Sequence, residues 1–346
     1  MPKFPKPLRP GDLIAITAPS SGVSGPALAR LDLVLDHLRN SGYRVVEGSC
    51  LRIQHKDASA PRDQRAQELM RFLVDPTVSA ILPPWGGELA SELLELLDFE
   101  ALRSVSPKWL LGYSDLSTLQ VPLTLISDWA TAHGANMMDL APTQTDPLTS
   151  SVLAVLASDF TRPVRQASSV LYQEKWIDFA TKVDAPLNLT GRTEWKRLDG
   201  SLEPLEMTGR LIGGCLDTIA WLAGSRFGDV PEFVRKSGDR GAILYFENAE
   251  MAPPGLVRAL LSIRRHRWFE GLSGLLVGRA AGPQPQSPES LSYREALVSV
   301  LGDLPYPVLY DVDIGHQPPQ FTLINGAVAH VQFDSGRGSV TQVARP

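Results

Sequence analysis

Lys108-Trp109-Leu110-Leu111-Gly112-Tyr113-Ser114-Asp115-Leu116-Ser117 is an apolar run that ends in Gly-x-Ser and passes without a break into a helical pattern. A short apolar run bounded by a glycine turn reads as a buried strand, and the residues after it repeat at helical spacing. The same alternation extends on both sides. Strand patterns cover residues 13–17, 44–47, 78–82, 109–113 and 130–133, and helix patterns cover 27–40, 62–74, 86–97 and 116–127. Strands alternating with helices predict a doubly wound parallel sheet, so residues 1–150 read as an N-terminal α/β domain. From 141 to 200 the pattern breaks into Pro, Thr, Ser and Asp clusters around Trp176 and Trp195, and 151–200 reads as a linker or lid. Periodicity resumes with strand patterns at 209–212, 242–246, 272–277, 308–312 and 326–333 and helix patterns at 216–223 and 254–265. Residues 201–346 therefore read as a smaller mixed α/β C-terminal domain.

A chain of 346 residues is long enough for two domains with a core each, and 43% hydrophobic content excludes a disordered chain. The net charge of −5 and the absence of a long basic block argue against a nucleic-acid partner, which needs a basic face. The opening Met1-Pro2-Lys3-Phe4-Pro5-Lys6-Pro7 has no apolar segment after its positive charges, and no later stretch reads as a membrane span. Cys50 and Cys215 are far apart, outside any C-x-x-C pattern, which argues against a disulfide framework or a thiolate zinc site. A cytoplasmic location is expected, with no membrane partner and no cofactor.

Ser114 ends the apolar strand at a helix start, the position of a nucleophile elbow: its Oγ stands above the sheet and the next N–H, that of Asp115, points at a developing oxyanion. Leu116 replaces the second glycine of G-x-S-x-G, and a capping role for Ser114 or Asp115 is the alternative. Gly86-Gly87, after the 78–82 strand, lies where a parallel sheet keeps its ligand crevice and is placed to supply a second oxyanion donor. The same pair also serves a plain strand-to-helix turn. A serine needs a base, and six histidines are present: His37, His55, His133, His266, His316 and His330. His316 follows Asp313-Ile314-Gly315 at a strand end and is preferred, with His133, before Gly134, as the main rival. The orienting acid is sought at a strand end as well, where Glu247 is preferred over Glu250, Asp311 and Asp313. No H-E-x-x-H or other metal-ligand spacing occurs.

With these residues in place, the chain resembles the serine peptidase family of LD-carboxypeptidases and microcin C immunity-type hydrolases. The resemblance runs through Leu8-Arg9-Pro10-Gly11-Asp12, Ala18-Pro19-Ser20, Gly86-Gly87 with Leu94 and Asp98, Gly112-Tyr113-Ser114-Asp115, Leu211-Ile212-Gly213-Gly214, Glu247 and Asp313-Ile314-Gly315-His316. It implies a Ser114-Glu247-His316 triad, an oxyanion hole from the Asp115 N–H and a glycine of the Gly86-Gly87 loop, no metal, and a site between the two domains of a homodimer. Cys215 stands where family members commonly carry asparagine, a residue expected to face substrate. The glycine loop reads Pro84-Trp85-Gly86-Gly87, and Trp176 and Trp195 make the chain more similar to the microcin C immunity branch, whose aromatics would stack on a planar group of a substrate.

The activity so implied is hydrolysis of an amide in a peptidyl or aminoacyl nucleotide-like compound. The alternatives are removal of terminal D-alanine from a murein tetrapeptide and a catalytically silent binding protein on the same scaffold. An α/β-hydrolase esterase also has Ser, acid and His in this order, but the incomplete elbow and the late second domain count against it.

Overall fold

The computed structural model describes residues 2–178, 181–285 and 287–344. Its first sheet has six strands, in spatial order Leu323–Asn325, Thr131–His133, Trp109–Gly112, Val78–Ile81, Leu13–Ile16 and Arg44–Glu47. All neighbours are parallel except Leu323–Asn325, which runs antiparallel to Thr131–His133. Every residue of Trp109–Gly112 is buried, because helices cover both faces of the sheet. One face packs Leu110 with Leu69 and Leu119, and the other packs Leu111 with Leu31 and Leu35.

The second sheet has eight strands, with a parallel centre of Leu205–Cys215, Ala242–Glu247, Gly274–Gly278 and Val308–Val312. Antiparallel strands flank that centre: Val328–Asp334, Arg337–Val343 and Val164–Ala167 on one side, Lys196–Arg197 on the other. Thus residues 151–200 supply both edge strands of the second sheet and a hairpin, Leu171–Gln173 with Leu189–Arg192. The two sheets share a core, in which Leu69 and Leu110 belong with Ile212 and Leu244. Asn325 pins them together. Its Oδ1 accepts from the Gly213 N–H at 3.0 Å and the Tyr245 hydroxyl at 2.8 Å, and its Nδ2 donates to Thr131 Oγ1 at 3.2 Å.

One expected helix differs. Residues 86–97 give only a 3₁₀ turn, Ala90–Leu93. Gly87 takes φ +139°, outside the helical region, and the Ala90 N–H is drawn to the Asp115 carboxylate at 2.7 Å. The carboxyl ends of the first sheet's strands thereby open into loops that face the carboxyl ends of the second sheet.

Candidate active site

Ser114 follows the Trp109–Gly112 strand with φ +65°, a left-handed conformation that costs a non-glycine residue about 1–2 kcal/mol. The surroundings impose it. Gly112 has φ +146° and leaves no room for a Cβ, which would sit 2.2 Å from Leu116 Cδ1, and the Tyr113 N–H donates to Asn136 Oδ1 at 3.1 Å. The turn is therefore held from both sides, and it lifts the serine hydroxyl off the strand.

His316 lies on the loop after Val308–Val312. Gly315 precedes it at φ +92°, and a Cβ there would lie 2.2 Å from Glu247 Cγ, so only glycine lets this loop close on that acid. The loop is clamped from below by Asp313, which is buried and accepts from Arg279 Nη1 at 3.0 Å, Trp195 Nε1 at 2.7 Å and the Ser169 hydroxyl. Arg279 also donates to the Gln317 and Pro319 carbonyls, fixing the chain just beyond the histidine.

These supports bring three side chains into one hydrogen-bonded line. His316 Nε2 is 3.0 Å from Ser114 Oγ, and His316 Nδ1 is 2.9 Å from Glu247 Oε2 and 3.1 Å from Oε1. Glu247, the last residue of Ala242–Glu247, is completely buried. Burial alone would push its carboxyl up, but the charge and hydrogen bond of His316 outweigh it and hold the group below the usual range. Burial likewise pulls His316 down, and Glu247 overcomes this to raise the imidazole above its ordinary value of 6.5. The ring is further confined by Tyr113, edge-on at 4.8 Å between centroids.

Asp115 uses its carboxylate to organise the neighbouring loops, accepting from Ser20 Oγ at 2.6 Å, Ala90 N at 2.7 Å and Thr118 Oγ1 at 3.1 Å. Desolvation raises this carboxyl despite those donors. The Asp115 anchor draws Gly86 against the serine: a Cβ on Gly86 would lie 2.7 Å from Ser114 Cβ and 2.9 Å from both the Asp115 nitrogen and Ser114 Oγ. Gly87 is packed against the Ser20 and Ser21 hydroxyls in the same way. Gly86→Ala therefore crowds a methyl group against the Ser114 side chain and the Asp115 nitrogen. It is expected to lower kcat by about 10²–10³, the loss typical of a damaged oxyanion site, and to lower the urea midpoint as well, because the backbone nitrogen of Asp115 cannot step aside as a flexible side chain would. Steady-state kinetics beside urea denaturation check this.

His133, the rival base, is wholly buried, and neither ring nitrogen has a hydrogen-bond partner among the described residues. Burial lowers its pKa to about 4, and its ring packs edge-on to Tyr113 and Tyr245. Trp195 corrects an expectation as well. It is 1% exposed, its N–H is spent on Asp313 and its ring packs edge-on to Phe321, so it supports the histidine loop and presents no face to a ligand. Trp176, at 49% exposure, keeps an open face. Cys215, at the end of Leu205–Cys215, is buried with its thiol beside the site: Cys215, Glu247 and His316 each offer a ligand atom within 4.8 Å of the others. Sequence reasoning gave Ser20 no role beyond its place in the resemblance and missed the supports Asn136, Arg279 and Asn325. Only Asn136 carried a local signal, since Asn136 and Asp139 form a capping box.

Two facing sheets thus bring Ser114, His316 and Glu247 together at their junction. Residues 14–134 match the model of the LD-carboxypeptidase N-terminal domain, and residues 208–331 match that of the C-terminal domain. The chain belongs to this LD-carboxypeptidase family of S66 peptidases. It is 28% identical over 342 residues to a putative carboxypeptidase of Vibrio cholerae, covering 96% of each chain. It is 25% identical to the microcin C7 self-immunity protein of Escherichia coli, covering 99% of this chain and 96% of that one. The solved structure of that immunity protein with aspartyl sulfamoyl adenosine superposes with a TM-score of 0.84 over all of both chains, at 23% identity.

Proposed function

We propose that the protein is a serine hydrolase that cleaves an amide bond in a peptidyl or aminoacyl nucleotide-like compound through Ser114, His316 and Glu247. The observation that carries this reading is the unbroken line from Ser114 Oγ to His316 Nε2 at 3.0 Å and from His316 Nδ1 to Glu247 at 2.9 Å. In this reading Ser114 attacks the carbonyl carbon as His316 takes its proton. The Asp115 N–H and an N–H of the Gly86-Gly87 loop hold the oxyanion. The amine leaves with the proton from His316, and water then hydrolyses the acyl-enzyme by the same base. Glu247 stays ionised and stabilises the imidazolium. The aminoacyl-nucleotide substrate is supported by the similarity to an immunity protein solved with aspartyl sulfamoyl adenosine, and by the open face of Trp176, which suits stacking on a base. The same reading places the protein in the cytoplasm as a homodimer. No helix among the described residues is long and apolar enough to cross a membrane.

The second reading, removal of terminal D-alanine from a murein tetrapeptide, is favoured by the family description and by the carboxypeptidase name of the Vibrio relative. Mass spectrometry of the purified protein with an aminoacyl sulfamoyl adenosine and with a murein tetrapeptide separates the two. Release of the amino acid from the first supports the first reading. Release of D-alanine alone supports the second, and tight binding without cleavage of either supports a silent binder.

The electrostatics set the pH dependence. A base must be neutral, and Glu247 raises the His316 pKa, so protonated and inactive enzyme persists to higher pH than for a free histidine. We expect kcat/KM to rise with pH through a single limb whose midpoint lies above 6.5. A midpoint well below that value would contradict the assignment of His316 beside an ionised Glu247.

A further inference from the structure

We propose that Cys215, Glu247 and His316 form a binding site for thiophilic divalent cations such as Zn²⁺, and that occupation of this site switches the enzyme off. The three side chains offer a sulfur, a ring nitrogen and a carboxylate oxygen within 4.8 Å of one another. Cys215 and Glu247 are buried, and His316 keeps 23% of its side chain exposed, so the group is reached from the histidine side.

The spacing suits a small tetrahedral ion. With metal–sulfur distances of about 2.3 Å and metal–nitrogen or metal–oxygen distances of about 2.0–2.2 Å, neighbouring ligand atoms stand roughly 3.3–3.7 Å apart. The His316 and Glu247 atoms already lie 2.9 Å apart. Bringing the sulfur into the same sphere takes at most a shift of about an ångström. A thiolate with an imidazole and a carboxylate is a soft-to-borderline donor set, which selects Zn²⁺, Cd²⁺ or Co²⁺ over Mg²⁺ or Ca²⁺. Asp217 adds negative charge at the rim: its Oδ2 accepts from the Cys215 thiol at 3.6 Å, and the carboxylate is held in place by the Ala249, Glu250 and Met251 N–H groups. The main chain that carries the thiol is anchored, since the Cys215 N–H donates to Ser117 Oγ at 2.9 Å.

Coordination releases the thiol proton to solvent and, where Nδ1 takes the ion, moves the ring proton to Nε2 and replaces the His316–Glu247 hydrogen bond with two bonds to the metal, without oxidation or reduction. Whichever ring nitrogen takes the ion, the base is lost. If Nδ1 binds, Nε2 carries the ring proton and no longer accepts from Ser114; if Nε2 binds, its lone pair is used. The loss of activity rests on the serine mechanism proposed above, whereas the coordination does not.

Cobalt titration under reducing conditions tests the site itself. Wild-type protein and Ser114→Ala are both expected to develop the near-ultraviolet thiolate-to-cobalt charge-transfer band, which Zn²⁺ abolishes by displacement. Cys215→Ser and Cys215→Asn are expected to lack it, and His316→Ala to bind cobalt at least tenfold more weakly. Zn²⁺ is expected to inhibit wild-type turnover reversibly on addition of EDTA. Relative to each variant's own metal-free rate, Cys215→Asn needs at least tenfold more Zn²⁺. Absence of the band from the wild type, or its persistence in both Cys215 variants through the other thiol, Cys50, would overturn the proposal. Unchanged cobalt affinity in His316→Ala would do the same. A band in Ser114→Ala together with a failed serine mechanism would leave the metal site standing and sink only the hydrolase reading.

Discussion

Ser114→Ala should abolish turnover while leaving the fold untouched. In enzymes whose serine and histidine act as a unit, removing either costs on the order of 10⁶ in kcat, and the residual rate comes from binding and the oxyanion site. The hydroxyl of Ser114 makes one described hydrogen bond, to His316, whose ring is partly exposed and accepts water in its place. Alanine meets the same left-handed backbone as serine, so the conformational cost at φ +65° does not change. The urea midpoint should therefore shift by no more than about 0.5 kcal/mol in stability. Retention of more than a hundredth of wild-type activity in the folded variant would remove Ser114 from the mechanism.

His316→Ala should cost as much activity as Ser114→Ala, and the double variant little more, because neither residue works without the other. It should also cost stability, by about 1–3 kcal/mol, since a fully buried Glu247 loses its main partner. Glu247→Gln should lose about 10⁴ in kcat: the amide keeps the shape but no longer holds the imidazole in the right tautomer or offsets its charge. The sign of the accompanying pH shift is fixed. Glu247 is what raises His316 against the pull of burial, so in Glu247→Gln the midpoint of the rising limb should move to lower pH even as the rate falls. In contrast, His37→Ala is expected to leave kcat/KM unchanged, because His37 is half-buried on the Ala27–Asn40 helix and none of the described side-chain hydrogen bonds of Ser114, His316 or Glu247 involves it. Harmless His316→Ala with a damaging His133→Ala would reverse the choice of base. A buried imidazole with a pKa of about 4 and no hydrogen-bond partner among the described residues makes that outcome contrary to the structure.

The strand ends were legible because period and punctuation agree there. Trp109–Gly112, Ala242–Glu247 and Val308–Val312 are short apolar runs closed by turns, and each delivers one member of the hydrogen-bonded line or the loop that carries it. The segment after Gly86-Gly87 was not legible as it folds. Its helical spacing is genuine, but a carboxylate brought in from Asp115 takes the Ala90 N–H, a long-range competitor that no local window contains. Trp195 misled for a related reason. Between turn-forming residues it resembles a surface aromatic, whereas its burial depends on Asp313, more than a hundred positions away in the chain. The return of Leu323–Asn325 to the first sheet after the histidine loop was equally invisible, since three residues carry too little periodicity to announce a strand.

The central claim, that Ser114 is a nucleophile activated by His316, is tested most directly by mass spectrometry of the protein after reaction with a fluorophosphonate. We predict one adduct, on the peptide containing Ser114, absent from Ser114→Ala. Its formation should slow by at least a hundredfold in His316→Ala and should speed up in wild type as pH rises through the His316 limb. An adduct on another residue, or labelling of Ser114 at an unchanged rate in His316→Ala, would contradict it.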